Sequence, residues 1–418
     1  MASPAVFLWC WTTGDHPVYS SVDGSAWSLF LQNGFPNDGA VSFFWLDENS
    51  SNQNGIYYDT STGQGMFWTQ DQGAHWHAFL SEPAVNPRHV AAILPSGRLL
   101  EVVAAGGGGN LQVAYSDNAG STWTLTGVLP NQTSQMLVGT SAARSGLRFY
   151  RLSNGTVVLF AADSRFNINQ LRAWYSTDNG LTWATGLSVH MGTDTSNPIS
   201  TCYHNTPLGD VLMVSYSAGA GTTAQGTVVY RSTDGINWQG VFSDVGVKYG
   251  TYLGGQQSVN PTSLFSMNNP GFMTDGTWLL YVEFQKDSFA DYDFAIYRSY
   301  DNGVTWVPDA VSASIPTNNF SAGAPSNVCT GSDLLGNTYG YNFATVQPGM
   351  YKSTDAGKTW ASFRVTQNAT PYAYGAVFSF ATPGSSRGFR RRQDRGLPAT
   401  PGSQSYAKIN LARGHLWR

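Results

Sequence analysis

The sequence predicts an all-β chain: a seven-bladed β-propeller of four-stranded antiparallel blades, closed by a C-terminal strand. Three observations carry that prediction. A short motif ending in tryptophan recurs seven times, a β-prone run precedes every copy, and the strands left over at the two chain ends complement one another.

The fullest copy of the motif reads Ser176-Thr177-Asp178-Asn179-Gly180-Leu181-Thr182-Trp183, and the others end at Trp27, Trp76, Trp123, Trp238, Trp306 and Trp360. The tryptophans are separated by 49, 47, 60, 55, 68 and 54 residues, and self-similarity at such a period marks a repeat architecture. Each copy combines the chemistry of a turn with a packing anchor. The leading Ser or Asp accepts hydrogen bonds from backbone N–H groups just ahead of it. The Gly tolerates positive φ. The Trp buries a broad face and brings one N–H to satisfy. The runs before the turns, such as Val113-Ala114-Tyr115 and Val228-Val229-Tyr230, are β-formers, so each motif joins two antiparallel strands. The copies drift as scaffold repeats do. Asn118 holds the Asp position before Trp123, Thr69 opens the copy before Trp76, and the turns at Asp23-Gly24 and Asp234-Gly235 are one residue shorter.

The first motif arrives after room for only two strands, at 5–11 and 16–19, with another at 27–31. A blade of four therefore lacks its innermost strand. After the last motif and a strand near 363–365, one strand remains at 374–380. The expectation is that 374–380 completes the first blade and leaves no open edge. Residues 1–380 then form one propeller domain.

Residues 381–418 differ in kind. They hold eight Lys and Arg against a single acid, Asp394, within a Pro/Gly-rich stretch lacking apolar periodicity. That reads as a basic, disordered tail. Elsewhere charge is sparse. Only 11% of the chain is Asp, Glu, Lys or Arg while 14% is aromatic, a balance suited to carbohydrate contact. No aromatic-interleaved basic groove is present, so nucleic acid is disfavoured as a partner. No run approaches the ~18 apolar residues of a membrane span, and no signal-peptide pattern opens the chain. The expected location is extracellular, or a virion or cell surface, with the oligomeric state open. Three cysteines, Cys10, Cys202 and Cys329, make no disulfide framework, and any pairing among them stays open. No cofactor is called for: the spacings of zinc, calcium and phosphate-loop sites are absent.

The seven motifs resemble the Asp-box, or BNR repeat, of sialidases and many other propeller proteins, over roughly residues 5–380. The resemblance implies that the Asp-box lies between the outer two strands of a blade, away from the active face. The stretch Phe149-Tyr150-Arg151-Leu152-Ser153-Asn154-Gly155-Thr156-Val157-Val158-Leu159-Phe160-Ala161-Ala162-Asp163-Ser164-Arg165, followed by Asp178, is similar to the first blade of a sialidase. By that likeness Arg151 takes the place of an arginine that grips a substrate carboxylate, and Arg165 that of a second. A guanidinium fork suits a carboxylate because it meets it bidentately. The sialidase pattern also has an acid between the second Arg and the Asp-box, whereas residues 166–177 contain no Asp or Glu. Tyr372 or Tyr374 corresponds to the family's nucleophilic Tyr, with Glu283 as a candidate partner.

Neighbouring repeats offer further groups. Cys202-Tyr203-His204-Asn205 occupies in its repeat the place of Tyr150-Arg151, and Asn86-Pro87-Arg88-His89 lies one repeat earlier. Tyr150, Tyr203 and His204 are the candidates for proton transfer. Arg151, Arg165, Arg88, His89 and Tyr374 are the candidates for holding substrate. Two functions stay open. One is an exo-acting enzyme on carboxylated saccharides, either a lyase or a sialidase-like hydrolase. The other is a non-catalytic lectin or adhesin. In both the partner is a carbohydrate ligand.

Overall fold

A computed structural model describes residues 6–10, 18–21, 26, 28–29, 41–46, 55–59, 65–71, 75–84, 87–105, 110–132, 148–163, 169–192, 199–206, 208–218, 226–245, 247, 271–272, 278–285, 292–308, 329–332, 338–342, 349–353, 361–363 and 375–378. The described residues are all-β and contain no helix. Their strands run in chain order as β1 (Val6–Cys10), β2 (Val18–Ser21), β3 (Ser28–Leu29), β4 (Val41–Leu46), β5 (Gly55–Asp59), β6 (Gly65–Thr69), β7 (His77–Ala78), β8 (Pro87–Ile93), β9 (Leu99–Ala105) and β10 (Asn110–Ser116). There follow β11 (Thr124–Val128), β12 (Arg148–Arg151), β13 (Val157–Asp163), β14 (Asn169–Ser176), β15 (Ala184–Gly192), β16 (Ile199–Thr206), β17 (Gly209–Ala218), β18 (Gly226–Ser232) and β19 (Gln239–Ser243). The rest are β20 (Gly271–Phe272), β21 (Trp278–Gln285), β22 (Tyr292–Ser299), β23 (Val307–Pro308), β24 (Cys329–Ser332), β25 (Thr338–Asn342), β26 (Gly349–Ser353), β27 (Ala361–Phe363) and β28 (Gly375–Phe378).

Among the described residues these strands make seven four-stranded antiparallel sheets. Six take four consecutive strands each, from β4–β7 to β24–β27, and the seventh has the order β28-β1-β2-β3. In that sheet Phe7 faces Phe378 and Cys10 faces Gly375. The first strand of each consecutive sheet is an edge strand, and first strands approach one another. β8 touches β4 and β12, and β24 touches β20 and β28.

The second strands explain how the sheets stack. Leu99, Leu100, Val102 and Val103 of β9, and Val157, Val158, Leu159, Phe160 and Ala161 of β13, are at most 1% exposed on both faces. A strand that is apolar on both faces is covered on both. These two sheets are therefore covered on both faces, and at roughly 25 cal/mol per Å² of apolar surface removed from water such contacts contribute heavily to the fold's stability.

The tryptophan turns lock the stack. In the 176–183 copy, Ser176 Oγ donates to Asp178 Oδ1 (2.7 Å) and accepts from Gly180 N (2.8 Å). Asp178 in turn accepts from Leu181 N (3.1 Å), Thr182 N (2.9 Å) and Thr182 Oγ1 (2.5 Å). Burial by itself would raise the Asp178 pKa, but these hydrogen bonds together hold it below the usual carboxylate range. The same wiring recurs at Ser116/Asn118, Ser232/Asp234 and Ser299/Asp301. Asn179 (φ 59°) and Gly180 (φ 83°) are both left-handed, so the turn depends on residues that tolerate that region.

Each turn also grips the preceding sheet. A Cβ on Gly180 would lie 2.7 Å from Leu100, and one on Gly235 would lie 2.5 Å from Val158. Asn179 O accepts from Arg98 Nη1 (3.2 Å), Asn302 O from Arg231 Nε (2.9 Å) and Ala119 O from Leu80 N (3.1 Å). The turn tryptophans stand over aromatics of the sheet before: Trp123 by Phe79, Trp238 by Phe160 and Trp306 by Phe242.

Candidate functional site

These locks orient the first strands. Arg98 sits in the β8–β9 hairpin and bonds to the tryptophan turn of the next sheet. Gly235, in the following turn, packs on Leu152, Thr156 and Val158 around the β12–β13 hairpin. The first hairpins and the tryptophan turns therefore share one end of the sheets, and the starts of the first strands lie at the other end. The ties between β12 and the β16–β17 hairpin, where Asp210 pairs with Asn205, agree with this. Tyr150 OH donates to Thr201 O (2.9 Å), and Ser153 N and Oγ, just past β12, donate to Asp210 Oδ2 (2.8 and 2.5 Å). Moving forward along β12 thus means moving forward along β16.

On that frame the sequence-derived candidates fall into two groups. Arg88 and His89 open β8 at the end away from the tryptophan turns. Arg151 closes β12 beside the hairpin, opposite Val157, and Tyr203 and His204 fall in the second half of β16, opposite Leu212 and Val211. Tyr203 is 2% exposed, and its hydroxyl donates to Asp210 Oδ1 (2.5 Å). Tyr150 is committed to Thr201. Tyr150 thus ties neighbouring sheets together, and Tyr203 holds, within its own sheet, the Asp210 carboxylate that Ser153 of the preceding sheet also grips. Of His204 the backbone position alone is described, and Arg165 and Tyr374 lie outside the described residues.

The opening of β8 holds a group that sequence reasoning did not single out. Pro87 pairs with Val103 and Ala91 with Glu101, so Arg88, His89 and Val90 bulge opposite Val102 alone. His89 has φ 53°, a left-handed backbone outside glycine and the tight turns. Such a conformation persists where the surroundings over-determine it, and it re-aims a side chain. The His89 ring presents Nδ1 to two carboxyls, at 3.6 Å from Glu82 Oε2 and 4.0 Å from Glu101 Oε1. His89 and Glu82 are about one third exposed, whereas the Glu101 side chain is 0% exposed.

The electrostatics follow from burial. Glu101 sits in β9 between apolar neighbours, and among the described residues neither of its carboxyl oxygens completes a hydrogen bond. Burial pushes its pKa well above the usual carboxylate range, and the Glu82 charge adds to the rise. The His89 backbone N–H works the other way. Burial therefore favours the protonated form of Glu101. Burial also raises Glu82, while burial and then the Arg88 guanidinium lower His89, favouring the neutral imidazole. Arg148 opens β12, the first strand next to β8, at the same end of the sheets, and burial lowers its pKa. The signal for Glu101 was available: one acid interrupts the apolar run Leu99-Leu100-Glu101-Val102-Val103. The signal for Arg148 was masked by Arg151, three residues on, in the segment similar to a sialidase blade. Among the described residues no group of His, Cys, Asp and Glu has the arrangement of a metal site.

Comparison with known proteins agrees with the turn chemistry. Residues 174–185 match the BNR/Asp-box repeat, and the chain carries that repeat. No curated protein matches the chain. Solved structures similar to it include the α-L-arabinanase of Penicillium chrysogenum complexed with arabinobiose, at 17% identity and a TM-score of 0.38, over 72% of this chain and 92% of that one. Another is an ulvan lyase of polysaccharide lyase family PL25, at 13% identity and a TM-score of 0.44, over 78% and 87%. A third is the six-bladed β-propeller lectin of Aleuria aurantia, which recognises fucose, at 15% identity and a TM-score of 0.36, over 78% and 95%.

Proposed function

We propose that residues 1–380 form a seven-bladed β-propeller, closed by β28 beside β1, that takes an anionic saccharide at the face opposite the Asp-boxes. Residues 381–418 are, on this reading, a separate basic tail. One observation carries the proposal: Arg88, His89 and Arg148 open two adjoining first strands at the end away from the Asp-box turns. A guanidinium that burial has partly stripped of water meets a carboxylate through charge-assisted, bidentate hydrogen bonds, which suits recognition of a uronate or a similar acidic sugar. Arg165, a further candidate carboxylate partner by its place in the sequence, lies outside the described residues. Arg151 stands at the hairpin end, Tyr150 is bonded to the next sheet and Tyr203 to Asp210 within its own, so this reading leaves them out of the ligand contacts. A site for free saccharides fits a protein working outside the cell or on a surface.

The test is titration calorimetry of the full chain against polygalacturonate, alginate, hyaluronate and a neutral xyloglucan. Binding of at least one acidic polymer is expected, weakened about tenfold or more in Arg88→Ala and in Arg148→Ala, the loss of one charge-assisted contact worth ~1.5–3 kcal/mol. Equal affinity in both variants, or binding of the neutral polymer alone, refutes the proposal.

A further inference from the structure

We infer that binding of an anionic saccharide at this face is coupled to the uptake of a proton by the cluster of His89, Glu82 and Glu101, so that the ligand is held more tightly in acid and let go as pH rises. The inference rests on the anionic-saccharide reading above and adds to it the condition that regulates the site.

The cluster is built into the fold. The bulge at the opening of β8, with its left-handed residue, sets the His89 ring beside two acids from other parts of the chain. Nδ1 lies 3.6 Å from Glu82 Oε2 and 4.0 Å from Glu101 Oε1. Glu101 comes from β9, where its neighbours in sequence are apolar, and its side chain is 0% exposed. Arg88 precedes His89 in the same bulge, and its charge acts on the imidazole. Of the other strands packed on β8, β4 has no titratable side chain, β5 carries Tyr57, Tyr58 and Asp59, and β12 carries Arg148, Tyr150 and Arg151.

Burial favours the uncharged form of each ionisable group. It raises both acids and lowers His89, and Arg88 lowers His89 further. Glu82 moves up from an ordinary 4.5 and His89 down from an ordinary 6.5, so their titrations approach one another in mildly acid solution. Groups this close titrate as a unit. The proton therefore belongs to the cluster, and neither ring nitrogen has to face the ligand.

A bound carboxylate changes this balance. Pairing with Arg88, it offsets the charge that opposes protonation of His89, and it adds negative charge of its own near all three groups. Both effects raise the proton affinity of the cluster. An imidazolium formed there already has carboxyl oxygens on its Nδ1 side. The bound state then holds more protons than the free state. Affinity accordingly rises as pH falls through the cluster's titration, and levels off below it. One proton moves from solvent to protein, and no covalent bond to the ligand forms.

The experiment is titration calorimetry of the full chain with polygalacturonate, alginate and hyaluronate, from about pH 5, where uronate carboxylates are already ionised, to about pH 8. Running each pH in two buffers of unlike ionisation enthalpy reads the protons taken up as well as the affinity. The wild type is expected to take up part of a proton per site and to bind about threefold to tenfold tighter at the acid end, tenfold being the most that one unit of pKa displacement allows. His89→Asn, which tolerates the left-handed backbone, and Glu82→Gln are expected to bind with less proton uptake and a flatter profile. A second measurement needs no ligand. The His89 imidazole signal, assigned in the proton NMR spectrum by its loss in His89→Asn, is expected to titrate at higher pH in Arg88→Gln than in the wild type. Binding whose affinity and heat do not change with pH and buffer overturns the inference and leaves the binding proposal standing, as does undiminished proton uptake by both folded variants. An unmoved His89 titration in Arg88→Gln overturns it as well. A chain that binds none of the polymers at any pH removes the saccharide reading itself, and the inference with it.

Discussion

Two turn glycines, Gly180 of an Asp-box and Gly155 of the β12–β13 hairpin, allow backbone strain to be separated from packing between sheets. Gly180 and Gly155 both have left-handed backbones, at φ +83° and +88°. They differ in surroundings. A Cβ on Gly180 would lie 2.7 Å from Leu100 Cδ2 and 3.0 Å from its Cδ1, across the gap to the preceding sheet, whereas one on Gly155 meets nothing within 4 Å. Alanine in the left-handed region costs about 1–2 kcal/mol, and that is the whole expectation for Gly155→Ala. Gly180→Ala carries the same cost plus overpacking of about 1–3 kcal/mol against a buried leucine. For a chain of 418 residues roughly 1 °C of melting temperature corresponds to each kcal/mol, so the two variants are expected to melt a few degrees apart. Differential scanning calorimetry of both, with Leu100→Ala alone and combined with Gly180→Ala, completes a double-mutant cycle. Truncating Leu100 relieves the clash, so the pair should couple favourably by about 1–3 kcal/mol. Equal melting of the two alanine variants, or a cycle with no coupling, refutes the argument that this turn locks adjacent sheets.

Two other outcomes test the ends of the molecule and its buried acid. Truncation before Gly375 removes β28 and its four paired positions on β1, at about 1 kcal/mol per backbone hydrogen bond besides the lost burial. Limited proteolysis should then degrade the whole chain, whereas truncation after 380 leaves the protease-resistant core intact. If the two truncations are equally resistant, β28 does not complete the first sheet. The second outcome concerns pH. A carboxyl whose folded pKa is raised keeps its proton in the native state, so the stability it contributes is present below the unfolded pKa and lost as pH rises toward the folded one. Glu101→Gln should therefore gain stability over the wild type progressively through the window that opens at the ordinary glutamate pKa and extends upward. A stability difference that does not change across that window shows that Glu101 is not held protonated.

How much of this was legible in the sequence varies from residue to residue. The turns were readable because their chemistry is local: Ser176, Asp178, Gly180 and Thr182 bond to each other within seven residues. The β-prone runs before them were readable for the same reason, and so was the four-strand grouping that spacing allows. The site was only half readable. Arg88 and His89 were noticed as residue types, but nothing local says that three residues of β8 bulge opposite one of β9, or that a glutamate on the next strand ends behind the imidazole. Arg151 drew attention through its neighbours in sequence, and strand direction then placed it beside the hairpin, with Arg148 at the opposite end of the same short strand.

The sequence by itself determined the class of the protein and the design of its repeating turn, since hydrogen bonds between near neighbours and the alternation of apolar residues depend on little beyond the order of the chain. The tertiary structure alone decided which end of each sheet a side chain occupies and how much water reaches it. Glu101 is an ordinary acid in the unfolded chain and one that resists ionisation once β9 is covered on both faces, because the cost of burying charge exists only when the sheets have come together.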